Sequence, residues 1–249
     1  MGYYSGQGRC FIAPVTAGVP GAFRYVGNCP ILNVALETDV LEHRESTSGQ
    51  RLTDLRIIRG KSSKFSFTLE NFDKDNLALA LYGAASSVSG STVSAETLPT
   101  VAVGDYVRLV HPDVTSLVIT DSAGSPATAT LGTHYEITSA KHGTIKFLNL
   151  ASHTQPYKAA YTYATRININ MLTQGFVDRW VKFDGLNTVN SNSPVLIDLY
   201  KVNFDPVAQF DLINDDIMKF ELSGGALYDS TKESDTVLGQ FGRVQLITA

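Results

Sequence analysis

The side chains that most often perform chemistry in proteins are dispersed along this chain of 249 residues. None of its histidines has the close spacing to a second histidine that builds a metal site on one helix or strand. A zinc site from scattered partners stays open, but surface or turn positions are the better interpretation. The five histidines are His43, His111, His134, His142 and His153.

Motifs for nucleotide binding and nucleophilic catalysis are missing as well. The segment Gly6 to Gly8 lacks the third glycine and the preceding strand of a dinucleotide loop, and neither a phosphate-binding loop nor a nucleophile elbow occurs. Asp215 and Asp216 are neighbours, so on a strand they would point to opposite faces and could not act as an acid–base pair. The sequence therefore predicts no catalytic residue, no metal, no cofactor and no enzyme activity.

The elements that could position a functional surface centre on residues 31–83. The segment from Ile31 to Glu37 alternates apolar and polar residues, and so does the segment from Lys64 to Glu70, which predicts half-buried strands. DLRIIRG, before the second of these, is expected to be a strand of its own. A short helix is predicted next, with Asp73 as its N-cap and Gly83 at the C′ position.

Residues 40–53 form a long polar arm between these strands, for which no apolar face is predicted. Strand connections usually take about two to five residues, so an arm of this length is either functional or a disordered insertion. Its charges are ordered, and a bipolar hairpin could meet a complementary surface on an identical neighbour. A solvated hairpin whose charges only confer solubility is the alternative. The first half and its approach carry Glu37, Asp39, Glu42 and Glu45, and the second half and its exit carry Arg51, Arg56, Arg59, Lys61 and Lys64.

The order and texture of these segments resemble the major tail tube proteins of bacteriophages with long, non-contractile tails. The resemblance rests on the first strand, the arm with LEHRES, the following TDLRI, the Phe-rich strand and the helix ending in NLALALYG. It continues in LIDLYKVNFDPVAQFDLI and MKFELSGGALYD, and so covers most of the chain. It implies a β-sandwich that closes with its neighbours into a hexameric ring, rings that stack into a tube, and an arm that reaches the adjacent ring.

The same resemblance implies a structural virion protein, located in the phage tail and, during assembly, in the host cytoplasm. Its main partner would be itself, in stacked hexameric rings. A tape measure protein would occupy the lumen during assembly, and tail terminator and distal tail proteins would bind the tube ends. Double-stranded DNA would pass through without specific binding, and no membrane would be involved. The arm residues expected at contacts between rings or subunits are Glu42, His43, Arg44, Glu45, Arg51, Asp54 and Arg56.

A polar strand face in the same region could line the lumen of such a tube. Neutral and acidic groups there would give the phosphates of DNA nothing to hold. We expect this wall to be net acidic and to include Glu37 or Glu70. In a monomer the same side chains would simply face water. The candidate lumen-facing residues are Asn33, Glu37, Ser66, Thr68 and Glu70.

The composition changes after the predicted helix. AASSVSGSTVSA predicts a linker, and short strands separated by turns then continue to about residue 164. We therefore expect a mainly β fold: a tail-tube-type β-sandwich or barrel with one short α-helix and a long inter-strand arm, formed by residues 1–84 and 165–249. A small all-β domain would be inserted at residues 85–164. The resemblance places such a domain on the tube exterior, and one continuous sandwich is the alternative.

The net charge, the lengths of the apolar runs and the cysteine content are consistent with this expectation but do not require it. The formal net charge of −4 argues against tight binding of nucleic acid, which favours a basic surface. No apolar run is long enough for a membrane span, and the N-terminus lacks a signal-peptide pattern, so synthesis in a cytoplasm is expected. In a reducing compartment Cys10 and Cys29 are expected to be free thiols, since a bridge would need neighbouring strands to bring them together.

Two other classes of function stay open from the sequence. One is the tube of a related injection apparatus, such as the hexameric ring protein of type VI secretion or the tube of a contractile tail. Such tubes fit inside a sheath, so an inserted domain argues mildly against them. The other is an unrelated β-sandwich binding module or hydrolase, for instance one acting on carbohydrate. That class would need clustered aromatics or paired carboxylates in a cleft.

Overall fold

The computed structural model describes residues 3–150, 152–233 and 237–247. Strands make up 50% of the chain and helices 4%, which confirms the prediction of a mainly β fold. The chain divides into two compact units: residues 1–85 together with 169–249, here called unit 1, and residues 86–168, here called unit 2. The boundaries predicted from the sequence lie after residues 84 and 164.

Seventeen strands, one α-helix and one 3-10 helix are described. In chain order they are β1 (Gly6–Thr16), β2 (Val19–Pro20), β3 (Arg24–Tyr25), β4 (Ile31–Arg44), β5 (Thr53–Leu69), α1 (Lys74–Ala80), β6 (Ala85–Val88), β7 (Ser91–Thr97), β8 (Tyr106–Arg108), β9 (Val114–Thr120), β10 (Tyr135–Ser139), β11 (Thr144–Phe147), β12 (Lys158–Tyr163), β13 (Arg166–Ile169), β14 (Arg179–Asn187), β15 (Ser193–Phe204), β16 (Phe220–Ala226), the 3-10 helix Ser230–Lys232 and β17 (Gly242–Leu246).

Unit 1 is built on a nine-stranded antiparallel sheet. Its main path runs β2-β1-β14-β15-β16-β5-β4, with β17 also paired to β15 and β3 to β1. The apolar side chains of β5, at Phe65, Phe67 and Leu69, are buried in the same core as Cys10 of β1 and Val181 of β14. Strands that are distant in the sheet order therefore pack their side chains against each other. One face of β5 is buried in this core, which explains its alternation of apolar and polar residues.

Strand β5 is longer than the sequence indicated. DLRIIRG is not a separate strand but the first half of β5, continuous with KFSFTLE. Gly60 lies opposite Asp39, where the register with β4 shifts, so a β-bulge takes up the irregularity without ending the strand. The arm predicted at residues 40–53 is likewise partly strand, since β4 continues to Arg44 and β5 begins at Thr53. The loop proper is only residues 45–52.

Helix α1 begins as predicted and ends differently. The Asp73 carboxylate accepts hydrogen bonds from the backbone amides of Asp75 and Asn76, which confirms it as the N-cap. The residue with positive φ after the helix is Tyr82 rather than Gly83, and the Tyr82 hydroxyl donates to the Phe204 carbonyl. Among the described residues no helix has the length and apolar character needed to cross a bilayer.

Unit 2 has a core of its own, formed by two three-stranded sheets ordered β10-β11-β8 and β7-β12-β9. The segment predicted as a linker, AASSVSGSTVSA, forms strands β6 and β7 instead. Strand β13, within RININM, pairs with β6 and not with the large sheet, which corrects its assignment to the main domain. The polar β6 has no core-facing pattern, so no period-two alternation marks it as a strand.

Candidate functional site

The residues considered for chemistry are held by ordinary local contacts. No group of three or more His, Cys, Asp or Glu side chains in the described ranges is arranged to hold a metal ion. Asp215 and Asp216 lie in a loop before β16 and not on a strand. In unit 2, His111 stacks on Tyr163, His134 accepts a hydrogen bond from the Thr130 amide, His142 contacts the Ser139 hydroxyl, and His153 lies 3.8 Å from an Asp121 oxygen.

The two cysteines lie together in unit 1 as free thiols. Both line an open cavity of about 520 Å³ between β4 and the strands β1, β14 and β15. Their mutual hydrogen bond, followed by burial, raises the pKa of Cys10, whereas that bond lowers the pKa of Cys29. The rest of the lining is mainly apolar or uncharged, so the titratable side chains that line the cavity are this thiol pair and Tyr4.

The feature of unit 1 that stands apart from the core is the far end of the β4–β5 pair. Strand β16 accompanies β5 only from Leu69 down to Ser63. Beyond that point β5 pairs with β4 alone, until Thr53 lies opposite Arg44. Residues 37–62, here called the projecting hairpin, therefore extend past the sheet by ~30 Å at about 3.3 Å per residue.

The projecting hairpin exposes apolar side chains on both of its faces. Cross-strand partners point to the same side, so Leu41 and its partner Ile57 share one face with Leu55. These three side chains are 36%, 46% and 49% exposed. On the opposite face Ile58 is 56% exposed. Most of these exposed apolar residues lie outside the arm predicted at residues 40–53, because Leu55, Ile57 and Ile58 belong to DLRIIRG, for which the sequence predicts a strand.

Some charges of the hairpin are paired across the two strands, and others are free. Arg56 lies opposite Glu42 and contacts its carboxylate at 3.5 Å. His43 Nδ1 is 2.6 Å from an Asp54 oxygen, and that hydrogen bond lowers the pKa of Asp54. These pairs stiffen the projecting hairpin but are exposed, so each contributes little to stability. Among the described residues, Arg44, Arg51, Arg59 and Lys61 have no ion-pair partner.

The loop at the hairpin end, residues 45–52, is organised by Glu45. Its carboxylate accepts hydrogen bonds from the backbone amides of Thr47 and Ser48 and from both hydroxyls. Hydrogen bonds from Ser48 and then Thr47 lower the pKa of Glu45 to about 2. The backbone amide of Glu45 donates to the Leu52 carbonyl, which closes the loop. Glu45 thus holds the hairpin end together instead of offering its charge to a partner.

The predicted arm residues are accordingly divided in role. Arg44 and Arg51 are free at the hairpin end, while the other five are engaged in the contacts just described. Those five are Glu42, His43, Glu45, Asp54 and Arg56. The exposed apolar residues of the hairpin were not predicted from the sequence. A pattern for them is nevertheless present in DLRII, which has apolar residues on both faces of the strand, more than a strand with one buried face needs.

The candidate lumen-facing residues lie largely where the alternation places them, with one correction. Asn33 is directly opposite Ser66 on the polar face of β4 and β5, and Glu37 follows on the same face. Thr68 is only 6% exposed, because it lies on an interior strand between Ile31 and Glu221, so it does not present itself to a lumen or to water.

The acidic character expected of this face is compensated. The Glu37 carboxylate lies 3.0 Å from the ammonium of Lys64, which occupies the same face. Glu70 has a lysine partner as well, at 3.9 Å, and accepts a hydrogen bond from Asn28. Each candidate acidic residue therefore has a lysine beside it, which offsets its charge within the single chain.

Comparison with known proteins gives a family but no activity. No curated protein matches this chain. A family model described as "Protein of unknown function UCP028589" matches residues 3–245, which is nearly the whole of both units. The chain belongs to this family, the proteins of unknown function UCP028589.

Proposed function

We propose that this chain is a structural subunit that assembles with copies of itself into hexameric rings stacked as a phage tail tube, the conduit for DNA delivery. The observation that carries the proposal is the projecting hairpin, beside which no further strand lies among the described residues. Two parts of the proposal, the hairpin's contact with the adjacent ring and the hexameric state, are inferred from the resemblance of the segments around LEHRES and TDLRI to tail tube proteins.

The energetics of a lone hairpin support an intermolecular partner. A two-stranded hairpin without further packing is marginally stable in water. The projecting hairpin nevertheless carries Leu41, Leu55, Ile57 and Ile58 in exposed positions. Burying each of these side chains fully would contribute roughly 1.5–3 kcal/mol. Contact with another copy would bury them, and would stiffen the hairpin at the same time.

The edge of the large sheet supports the same proposal. Strand β4 ends the sheet path, and no described strand pairs with its outer side. Val34 and Leu36, which alternate into the core-facing side of β4, are 41% and 81% exposed. A long, unprotected edge strand with uncovered apolar side chains invites pairing with another chain. In a closed ring of subunits, that pairing would be used and the free edge would disappear.

The remaining parts of the proposal follow from the tail tube resemblance. The polar face with Asn33, Glu37 and Ser66 would line the lumen, where paired charges give DNA no net attraction. A tape measure protein would fill the lumen during assembly, and tail terminator and distal tail proteins would bind the ends. Unit 2, with its separate core, would decorate the tube exterior. The protein would act in the virion, with no enzymatic role.

The proposal is tested by removing the apolar face of the hairpin. In the variant Leu41→Ser, Leu55→Ser, Ile57→Ser we expect a folded monomer, because the contact loses its apolar surface while the exposed positions add nothing to the core. The unchanged chain is expected to form rings or tubes at high concentration. Size-exclusion chromatography with light scattering and negative-stain electron microscopy measure both.

A matched control removes three exposed valines from unit 2. Val103→Ser, Val110→Ser, Val118→Ser changes side chains that are 63%, 61% and 44% exposed, and it should assemble as the unchanged chain does. If the hairpin variant formed tubes, the apolar face of the hairpin would not be an assembly contact. An unchanged chain that stays monomeric at every concentration would overturn the function itself.

A further inference from the structure

A loop on the far side of unit 1 has the properties of a receiving surface for the hairpin. Residues 205–219, here called the β15–β16 loop, connect β15 to β16 without helix or strand. Its tip is strongly apolar and exposed: Leu212, Ile213 and Ile217 are 79%, 96% and 68% exposed. Exposed apolar clusters of this kind, rimmed by polar residues, mark interaction sites.

The base of this loop is firmly attached, so its exposed tip is not a frayed segment. The amide of Val207 donates to the Ala80 carbonyl of α1 at 2.8 Å. Phe210 stacks on Phe220 of β16, with ring centroids 6.0 Å apart. Val207, Phe210 and Met218 all pack against the core of unit 1. A fixed base with an exposed apolar tip is preorganised for binding, since little ordering entropy remains to be lost.

The loop also forms a groove with acidic walls. The groove has a volume of about 460 Å³, and Val207, Ile217 and Met218 contribute its apolar lining. Asp211, Asp216 and Glu221 line it too, together with one cation, Lys219, which pairs with Glu70; Asp215 lies beside them. Asp211 accepts a hydrogen bond from Gln209, and Asp216 accepts one from the next backbone amide. None of the three aspartates has a cationic partner among the described residues.

The hairpin end has the complementary chemistry. Leu52 is 56% exposed at the close of its loop; Arg51 directly precedes it in the loop, and Arg44, at the end of β4, lies opposite Thr53. An exposed apolar side chain close to two arginines is complementary to an apolar groove that aspartates line. Charge complementarity of this kind orients partners and disfavours the reverse arrangement, in which like charges meet.

The two surfaces lie at opposite ends of one strand. Leu69, the last residue of β5, pairs with Phe220, which directly follows the β15–β16 loop. Thr53, the first residue of β5, closes the hairpin end. The 17 residues of β5 separate these ends by ~55 Å at about 3.3 Å per residue. The hairpin end and the loop of one chain therefore cannot meet, but a copy displaced along the strand direction brings them together.

We propose that the hairpin end of one copy docks into the groove of the β15–β16 loop of the next copy, with Leu52 among the apolar tip residues and Arg44 and Arg51 facing Asp211 and Asp216. The contact joins two different surfaces, so it repeats head to tail and grows a stack instead of closing a dimer. This inference rests on the proposed function and names the surface that receives the hairpin.

A charge swap tests the contact directly. The loop-reversed variant is Asp211→Arg, Asp216→Arg, and the hairpin-reversed variant is Arg44→Glu, Arg51→Glu. Each places like charges across the contact and should raise the protein concentration at which polymer appears by at least about tenfold. An equal mixture of the two variants, or one chain with all four changes, restores opposite charges and should recover polymer. Light scattering and electron microscopy of the purified full chain give the readout.

Two controls separate this contact from general effects. The variant Asp113→Arg, Glu136→Arg in unit 2 makes the same change in net charge and should polymerise as the unchanged chain does. Ile213→Ser, at a side chain too exposed to support the fold, should weaken polymerisation, whereas Leu131→Ser in unit 2 should not.

The outcomes distinguish this inference from the function on which it rests. If the unchanged chain polymerises and neither the mixture nor the four-fold variant recovers polymer, the docking contact is overturned and the tube proposal stands. Normal polymer from the loop-reversed variant overturns the contact as well. If the unchanged chain never polymerises, both fall together. If these residues only supported the fold of their own chain, the charge swap would not recover polymer.

Discussion

At the scale of single residues, the carboxylates of the hairpin serve its local order. Glu45 accepts four hydrogen bonds from Thr47 and Ser48, and Asp54 is held by His43. A carboxylate that accepts several such bonds is stabilised in its charged form, which is the cause of a lowered pKa. The sequence marked both residues as contacts for a partner, but their charge is already engaged within the hairpin.

This role of Glu45 predicts a specific dependence on pH. Its pKa is lowered from 4.5 to about 2, so the order it gives the loop is present in full above pH 4.5 and is lost only as the pH falls through about 2. We expect the carboxyl carbon of Glu45, followed by NMR, to titrate near pH 2, with the Thr47 and Ser48 amide signals moving at the same midpoint. A midpoint near 4.5 would contradict the bonding, and Glu45→Gln should abolish the transition.

At the scale of elements, β5 belongs to two environments. From Ser63 to Leu69 it is an interior strand between β4 and β16, and its alternate side chains fill the core. From Thr53 to Ser62 it is half of a hairpin in water. The bulge at Gly60 lies near this change, where extra twist can turn the hairpin away from the sheet plane.

A pair of alanine substitutions should expose the difference between these environments. Phe67 and Leu36 lie on the same side of the β4–β5 pair, but Phe67 is 1% exposed and Leu36 is 81% exposed. Phe67→Ala should lower the free energy of unfolding of the monomer by about 3–5 kcal/mol, since it leaves a cavity in the core. Leu36→Ala should change it by less than about 0.5 kcal/mol. Urea denaturation measures both, and equal losses would contradict the assignment of the core.

At the scale of the whole molecule, each of the two units has a buried core within itself. The buried cluster of unit 1 draws on β1, β5, β14, β15 and β16, and that of unit 2 on strands between β7 and β12. The two clusters share no residue. The chain leaves and re-enters unit 1 through β6 and β13, which pair with each other. Such a connection is typical of a domain inserted in a surface turn of another domain.

Independent cores predict independent folding. Residues 86–168 expressed alone should unfold in one cooperative thermal transition, because all of that cluster lies within them. The reciprocal variant, in which a short Gly/Ser linker joins residue 85 to residue 169, should keep the thermal transition of unit 1. Circular dichroism and calorimetry measure both. A non-cooperative melt of residues 86–168 would contradict their autonomy.

The sequence by itself determined the mainly β class, the helix start at Asp73 and the alternation of β5, because each depends on neighbours within one segment. It also indicated two regions of different texture. It misassigned β6 and β7, whose small polar residues carry no burial pattern, and the end of α1, where the Tyr82 hydroxyl bond to Phe204 supports a conformation usual for glycine.

Only the tertiary structure decided which apolar residues are covered. Leu36, Leu55 and Ile57 have the same local pattern as Phe65 and Phe67, yet β16 ends beside Ser63 and leaves the first three uncovered. Likewise, the pairing of Glu37 with Lys64 depends on strand register, and the separation of the hairpin end from the β15–β16 loop depends on strand order. Burial and register are properties of neighbouring strands, and no single segment of sequence contains them.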